Sequence, residues 1–115
     1  YLHLSGTQVN SLAPLKGMPL RALHLDRTPV TDLKPLADLP IKELRLDGCE
    51  KLRDLTPLSQ CTNLEVLVLP RKHGEIGFLR NLPKLKRLSY HFDADATKME
   101  TVDQFFRTRS LATRR

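Results

Sequence analysis

The chain of 115 residues has 40% hydrophobic residues and a formal net charge of +6, enough apolar side chains for one domain with a core of moderate size. No apolar run approaches the roughly 18 residues that span a bilayer, and the first residues do not read as a basic-then-apolar signal segment. We therefore expect either a cytosolic chain or a targeting signal upstream of residue 1. Four of the 19 basic residues lie at or after Arg107, whereas all 13 acidic residues precede it. The rest of the chain is therefore close to neutral, which argues against a nucleic-acid surface with Lys and Arg gathered on one face.

Leucines recur at a nearly constant spacing along most of the chain. Residues 20–25 read LRALHL, 41–46 read IKELRL, 64–69 read LEVLVL and 85–90 read LKRLSY. Counted from Leu4, the last residues of these segments are 21, 21, 23 and 21 residues apart. Such a period is typical of solenoids. The opening residues YLHLSGTQV fit the same register with their first positions missing, so we predict five short strands.

This pattern resembles the leucine-rich repeat, L-x-x-L-x-L-x-x-(N/C/T)-x-L, across residues 1–92. The resemblance implies an α/β fold: a right-handed solenoid with a parallel concave sheet, short 3₁₀ or α turns on the convex side, and an incomplete first coil. The motif T-x-V-x-(D/S)-L-x-P-L in residues 7–15 and 28–36 is similar to repeat regions of large bacterial proteins. In some of those proteins the repeats follow a serine/threonine kinase domain.

The second strand shows how side chains are divided between the two faces of the sheet. Leu23 and Leu25 alternate with His24 and Asp26. Because successive strand residues point to opposite faces, the leucines are predicted to enter the core and the residues between them to lie on the concave face.

A row of small side chains follows the strands at Thr7, Thr28 and Cys49. Here a hydroxyl or thiol can satisfy backbone groups buried in the loop. The fourth coil has Lys72 at this position, and a lysine is rarely buried without a partner. We therefore expect the row to end there and residues 71–77 to bulge outward.

The segments that return from one strand to the next are short. Asp32 and Asp54 precede Pro35 and Pro57, a combination that favours one capped turn of 3₁₀ or α-helix. The second wall of the core is predicted to consist of Leu12, Leu15, Met18, Leu33, Leu36, Leu39, Leu55, Leu58 and Cys61.

The sequence after Tyr90 leaves the repeat pattern. Apolar residues at helical spacing are Met99, Val102, Phe105 and Phe106. Thr97 with Glu100 fits a capping box. We predict a cap helix over residues 93–107, which would cover the open core of the last coil, and a flexible basic tail over residues 108–115.

No such cap precedes the first coil. The first strand would leave a parallel edge unpaired, so the chain is expected to be a fragment of a longer array. The apolar residues expected to lie exposed at this end, and to permit self-association, are Tyr1, Leu2, Leu4, Val9 and Leu12.

Motifs for catalysis are absent from the sequence: the glycines do not form a phosphate loop, and no serine has nucleophile-elbow context. His3 and His24 share a column of the predicted sheet, but no third ligand is clearly aimed at them. We expect no enzyme activity, metal or cofactor. Cys49 and Cys61 occupy core positions and are expected to be reduced, which, with the missing signal segment, favours the cytoplasm.

The concave face is the candidate site. Its residues are His24, Asp26, Glu43, Arg45, Asp47, Val66, Val68, Pro70 and Arg87. Val66, Val68 and Pro70 are predicted to form an exposed apolar island among charged residues, as in binding hot spots. The alternatives are that a neighbouring segment covers them or that they merely reflect strand propensity.

The resemblance and this surface together predict a non-catalytic module that binds a protein or peptide. A second hypothesis is a structural spacer within a larger enzyme, such as a bacterial serine/threonine kinase. A third, less favoured, is weak nucleic-acid binding by the basic tail.

Overall fold

The computed structural model describes residues 1–113, with side chains described as far as Arg107. Its strands are β1 (Leu2–His3), β2 (Ala22–His24), β3 (Glu43–Arg45), β4 (Val66–Val68) and β5 (Arg87–Ser89). They form one sheet in the order β1-β2-β3-β4-β5, and every neighbouring pair is parallel. This is the sheet that the 21-residue spacing predicts.

Each strand is followed by a short 3₁₀ turn on the opposite side of the core. The turns are Ala13–Leu15, Lys34–Leu36, Thr56–Gln60, Gly77–Asn81 and Ala96–Lys98. Asp32 Oδ1 accepts a hydrogen bond from the Lys34 amide at 2.9 Å, and Asp54 Oδ1 accepts one from the Thr56 amide at 3.0 Å. Both aspartates therefore cap turns, as predicted from their position before proline.

The core lies between the strands and the turns. Leu23, Leu44, Leu67 and Leu88 are directly aligned across the sheet and have no exposed surface. One predicted wall residue is misplaced: Met18 is 39% exposed. Gly17, with φ +81°, turns the chain there before the second strand.

The small-residue row is confirmed at its three predicted positions. Thr7 and Thr28 donate to the carbonyls of Leu4 and Leu25, both at 2.7 Å, and Cys49 Sγ donates to the Leu25 carbonyl at 3.0 Å. The buried Leu25 carbonyl thus finds two donors within this row. Lys72 is exposed, so the row ends before the fourth coil.

A left-handed backbone conformation recurs one residue before each member of the small-residue row. Gly6, Arg27 and Gly48 have φ values of 70°, 58° and 77°. Gly48, after the third strand, is favoured both by this positive φ and by the lack of space for a side chain, because an added Cβ would lie 2.8 Å from Arg27 Cγ. Arg27 adopts a conformation that residues with a side chain rarely use.

The C-terminal helix begins later than predicted. Helix α1 is Val102–Thr113, and its capping box is Thr101 with Gln104 rather than Thr97 with Glu100: the Thr101 amide donates to Gln104 Oε1 at 2.9 Å, and the Gln104 amide donates to Thr101 Oγ1 at 3.1 Å. The prediction of a helix over residues 93–107 is therefore wrong about where the helix begins. The tail predicted from residue 108 is helical as far as Thr113, and residues 114 and 115 lie outside the described residues.

Backbone pairing with the sheet explains the late start of α1. Thr101 forms an antiparallel bridge with Arg87 in β5, and the Leu88 amide donates to the Glu100 carbonyl at 3.0 Å. The Glu100 carbonyl is thus used by the sheet edge, and the first backbone bond of the helix runs from the Phe105 amide to the Thr101 carbonyl at 2.9 Å. Phe105, fully buried, then closes the core beneath the helix.

At the first coil, the expected exposed apolar end is only partly present. Tyr1 is 93% exposed, but Leu2, Leu4 and Val9 are half-buried against the core, and Leu12 is 1% exposed. Both cysteines are free and buried. Among residues 1–113, no helix has the length and apolar character needed to cross a membrane.

Candidate functional site

The sheet face opposite the leucine core, here termed the open face, carries two side-chain rows in the predicted register. One row is His3, His24, Arg45, Val68 and Ser89, and the other is Ala22, Glu43, Val66 and Arg87. The parallel pairing keeps each row in line, so the face presents an ordered set of different side chains.

Arg45 is the centre of an ion-pair cluster on the open face. Its Nε and Nη2 atoms donate to the two carboxylate oxygens of Asp47 at 3.2 and 3.0 Å, and Nη2 lies 3.5 Å from Asp26 Oδ2. Burial alone would lower the pKa of the Arg45 guanidinium, but the hydrogen bond to Asp47 and the charges of Asp47, Asp26 and Glu43 raise it. The cluster therefore fixes a permanent cation in one orientation.

Asp26 is the buried anion of this cluster, with only 2% of its surface exposed. Its Oδ1 accepts a hydrogen bond from Ser5 Oγ at 2.6 Å, and its Oδ2 lies 3.6 Å from Arg27 Nε. A buried carboxylate needs such partners. Asp26 consequently holds the face together and is hidden from any ligand.

His24 links the cluster to the first strand. Its Nε2 lies 2.7 Å from Glu43 Oε2, and its ring stacks on that of His3 with centroids 4.3 Å apart. The Glu43 side chain is 34% exposed. In the part of the chain that the structure describes, no group of three or more His, Cys, Asp or Glu side chains is placed to hold a metal ion.

Phe92, which follows β5, lies over the open face. Its ring centroid is 4.2 Å from Arg45 Cζ, and its edge meets the His24 ring with centroids 5.8 Å apart. Phe92 is not among the site residues predicted from the sequence. A signal was available in retrospect, because Phe92 follows the last strand of the array, where the chain no longer has a next coil to enter.

The predicted exposed apolar island is wrong. Val68 has no exposed surface and Pro70 is buried, while Val66 is half-buried. Val68 lies between Arg45 and Ser89 in its row, and the chain after β5 returns across this face through Phe92. The alternative of a covering segment is supported on this face at Arg45 and His24, which Phe92 contacts.

Arg87, also predicted on the binding face, is engaged by the C-terminal segment. Its Nη1 donates to the Met99 carbonyl at 2.9 Å, and its backbone pairs with Thr101. It is half-buried. Arg87 thus ties the covering segment to the sheet.

A cleft of about 630 Å³ opens beside the cluster, where the loops after β3, β4 and β5 meet. Asp47 and Pro70 are predicted site residues that line it, but Arg53, Arg71 and Tyr90 also do so, and sequence reasoning missed them. Arg53 and Arg71 lie in loops between the repeat segments, and Tyr90 ends the last segment, so only the assembled coils bring the three together.

The parallel strands, inward leucines and thiol–hydroxyl ladder define a leucine-rich-repeat solenoid. Among solved structures, the chain is similar to an internalin C2 from Listeria monocytogenes, with a TM-score of 0.70 and 32% sequence identity. The match covers 76% of this chain but 41% of the internalin chain, so this chain spans less than half of that protein. No protein-family model and no curated protein sequence matches the chain.

Proposed function

We propose that this chain is a non-catalytic module that binds a protein or peptide on the open face of its sheet. The observation that carries the proposal is the fixed Arg45 guanidinium, held by Asp47 and stacked on Phe92. Arginine is enriched among the residues that dominate binding energy, and phenylalanine and arginine are both enriched at the cores of interfaces. The likeness to an internalin supports the interaction role by analogy of fold.

Residues at the margin of the cluster supply the accessible contacts. His3 is exposed, and the side chains of Glu43 and Asp47 are 34% and 27% exposed. Because Arg45 already satisfies Asp47 from one side, a partner's hydrogen-bond donor would approach the carboxylate from the solvent. In this proposal Glu43, Arg45 and Asp47 set specificity, and Phe92 with the half-buried Val66 replaces the Val68 and Pro70 hot spot.

A spacer role within a larger enzyme is the second candidate. This role is favoured because charged side chains of the face already pair within the chain: His24, Asp26 and Arg45 each have a partner there. A spacer needs a rigid coil stack but no ligand. Kinase association and cytoplasmic location stay predictions, as does self-association through the first coil.

Selection of binding peptides from a random library on the immobilised full chain tests the proposal. The selected peptide should shift the NMR amide resonances of His3, Glu43 and Asp47 on the face. It should leave those of Lys34 and Ser59 in the return turns in place. Failure to select any peptide, or shifts confined to the turns, would favour the spacer role.

A further inference from the structure

The cleft beside the open face lies where three successive coils present their loops. The cleft is lined by residues 47–50 and Arg53 after β3, by residues 69–72 after β4, and by Tyr90 and His91 after β5. Its volume of about 630 Å³ is within the range of sites that hold several side chains of a ligand.

The charge of the cleft is positive and partly unpaired. Arg71 and Lys72 are exposed, and neither side chain has a hydrogen bond or ion pair to any of the described residues. Arg53 is held in place, because its Nη1 donates to the carbonyls of Glu50 and Leu52. A guanidinium has five donors, so Arg53 keeps further N–H groups for a ligand.

The two carboxylates in the cleft do not balance these cations. Asp47 is already paired with Arg45 through two hydrogen bonds. Among the lining residues, this leaves the carboxylate of Glu50 to offset the cations of Arg53, Arg71 and Lys72. A ligand with carboxylates therefore meets an attractive potential in the cleft, strengthened where the walls exclude water.

Part of the cleft lining is apolar and held in place by other contacts. Leu69 and Pro70 are buried. The Tyr90 hydroxyl lies 2.7 Å from His73 Nε2, and the Tyr90 ring packs against Phe105 with centroids 5.3 Å apart. An aromatic side chain held at both its ring and its hydroxyl offers a fixed wall against which an aliphatic side chain can pack.

We propose that this cleft binds an acidic peptide segment, with carboxylates at Arg71, Lys72 and Arg53 and an apolar side chain against Pro70 and Tyr90. The inference rests on the proposed function, since it names the partner chemistry at one end of the same face. A peptide fits better than a nucleic acid because the cations of the cleft lie beside Pro70 and Tyr90, which an apolar side chain can contact and a phosphate backbone cannot.

Fluorescence anisotropy of labelled peptides with the full chain tests the inference. The probes are a short peptide of alternating glutamate and leucine, the same peptide with glutamine for glutamate, and an oligothymidylate of matched length. The glutamate peptide should bind best, with an affinity that falls as salt is added. Equal binding of the glutamine peptide, or tighter binding of the oligothymidylate, would overturn the inference.

Charge-matched variants locate the binding. The double variant Arg71→Glu/Lys72→Glu should weaken binding of the glutamate peptide by about tenfold or more. Lys16→Glu/Lys34→Glu carries the same charge change on the exposed return turns and should have little effect. Equal weakening by both pairs would contradict a site in the cleft. Circular dichroism of each variant, with Arg71→Gln/Lys72→Gln as a milder pair, separates loss of binding from loss of folding.

The result also separates this inference from the proposed function. If library peptides still shift the resonances of the open face while the glutamate peptide does not bind, the acidic-ligand inference alone fails. If neither binds, both fail.

Discussion

Phe92 and Arg45 are joined by a cation–π contact in which the ring centroid lies 4.2 Å from the guanidinium carbon. One residue belongs to the third strand and the other follows the fifth, so this contact fastens the end of the chain to the middle of the open face. It covers part of the surface that the sequence predicts to be exposed, and it leaves Glu43 and Asp47 as the accessible margin.

The contact predicts a measurable contribution to stability. Phe92→Ala should lower the free energy of unfolding by about 2 kcal/mol, because it removes the ring from Arg45 and His24 and exposes apolar surface. Phe92→Leu, which keeps apolar volume but loses the ring face, should have a smaller effect. Urea denaturation followed by circular dichroism measures both. Equal stability of all three proteins would show that the ring does not hold the segment down.

The small-residue row of Thr7, Thr28 and Cys49 provides a second prediction, in which Thr7 serves as the control for Thr28. Thr28→Val removes a buried hydroxyl whose hydrogen bond to the Leu25 carbonyl is 2.7 Å long, and should cost about 1 kcal/mol. Thr7→Val removes the same bond, also 2.7 Å, at an exposed position. Water can replace the hydroxyl there, so the expected loss is below about 0.5 kcal/mol. A larger loss at Thr7 would contradict a role for burial.

Two glycines separate backbone strain from steric conflict. Gly17 and Gly48 both have positive φ, but an added Cβ meets nothing within 4 Å at Gly17 and lies 2.8 Å from Arg27 Cγ at Gly48. Gly17→Ala should therefore cost about 1 kcal/mol from strain alone, and Gly48→Ala about 1 kcal/mol more because the Arg27 side chain must move. Thermal or urea unfolding measures the difference. Equal costs would mean that Arg27 moves freely.

The Cys61 thiol links stability to pH. Burial, helped by the charge of Asp38, raises the pKa of this thiol from 9.0 to about 11. The native state thus keeps the proton to higher pH than the unfolded chain, so the thiol's contribution is complete below pH 9 and is lost as pH rises toward 11. Over this range, wild type should lose about 2 kcal/mol more than Cys61→Ala under reducing conditions. Parallel curves for the two proteins would exclude such a shift.

The repeat spacing was sufficient to predict the sheet, the register of its strands and the small-residue row. His3, His24 and Arg45 occupy one row because each coil repeats the same path, so equal spacing along the chain becomes adjacency in space. Thr28 and Cys49 were predictable for the same reason. Each of these inferences depends on contacts between neighbouring coils.

The end of the array was predicted less well, because it depends on contacts that have no period. Both Thr97-x-x-Glu100 and Thr101-x-x-Gln104 satisfy the capping-box pattern, and only the pairing of Thr101 with Arg87 selects the second. Likewise, nothing in the local sequence of Arg45 shows that Phe92 from a later segment lies over it. The exposed hot spot was therefore the feature of the site that could be predicted least well from the sequence.

Affinity of the library-selected peptide for two charge-matched variants tests the central claim most directly. Glu43→Lys changes a half-exposed residue of the open face, and Asp38→Lys makes the same charge change on an exposed return segment. Isothermal titration should show binding weakened by about tenfold or more for Glu43→Lys and unchanged for Asp38→Lys. Unchanged affinity for Glu43→Lys, with loss for Asp38→Lys, would place the binding surface away from the open face.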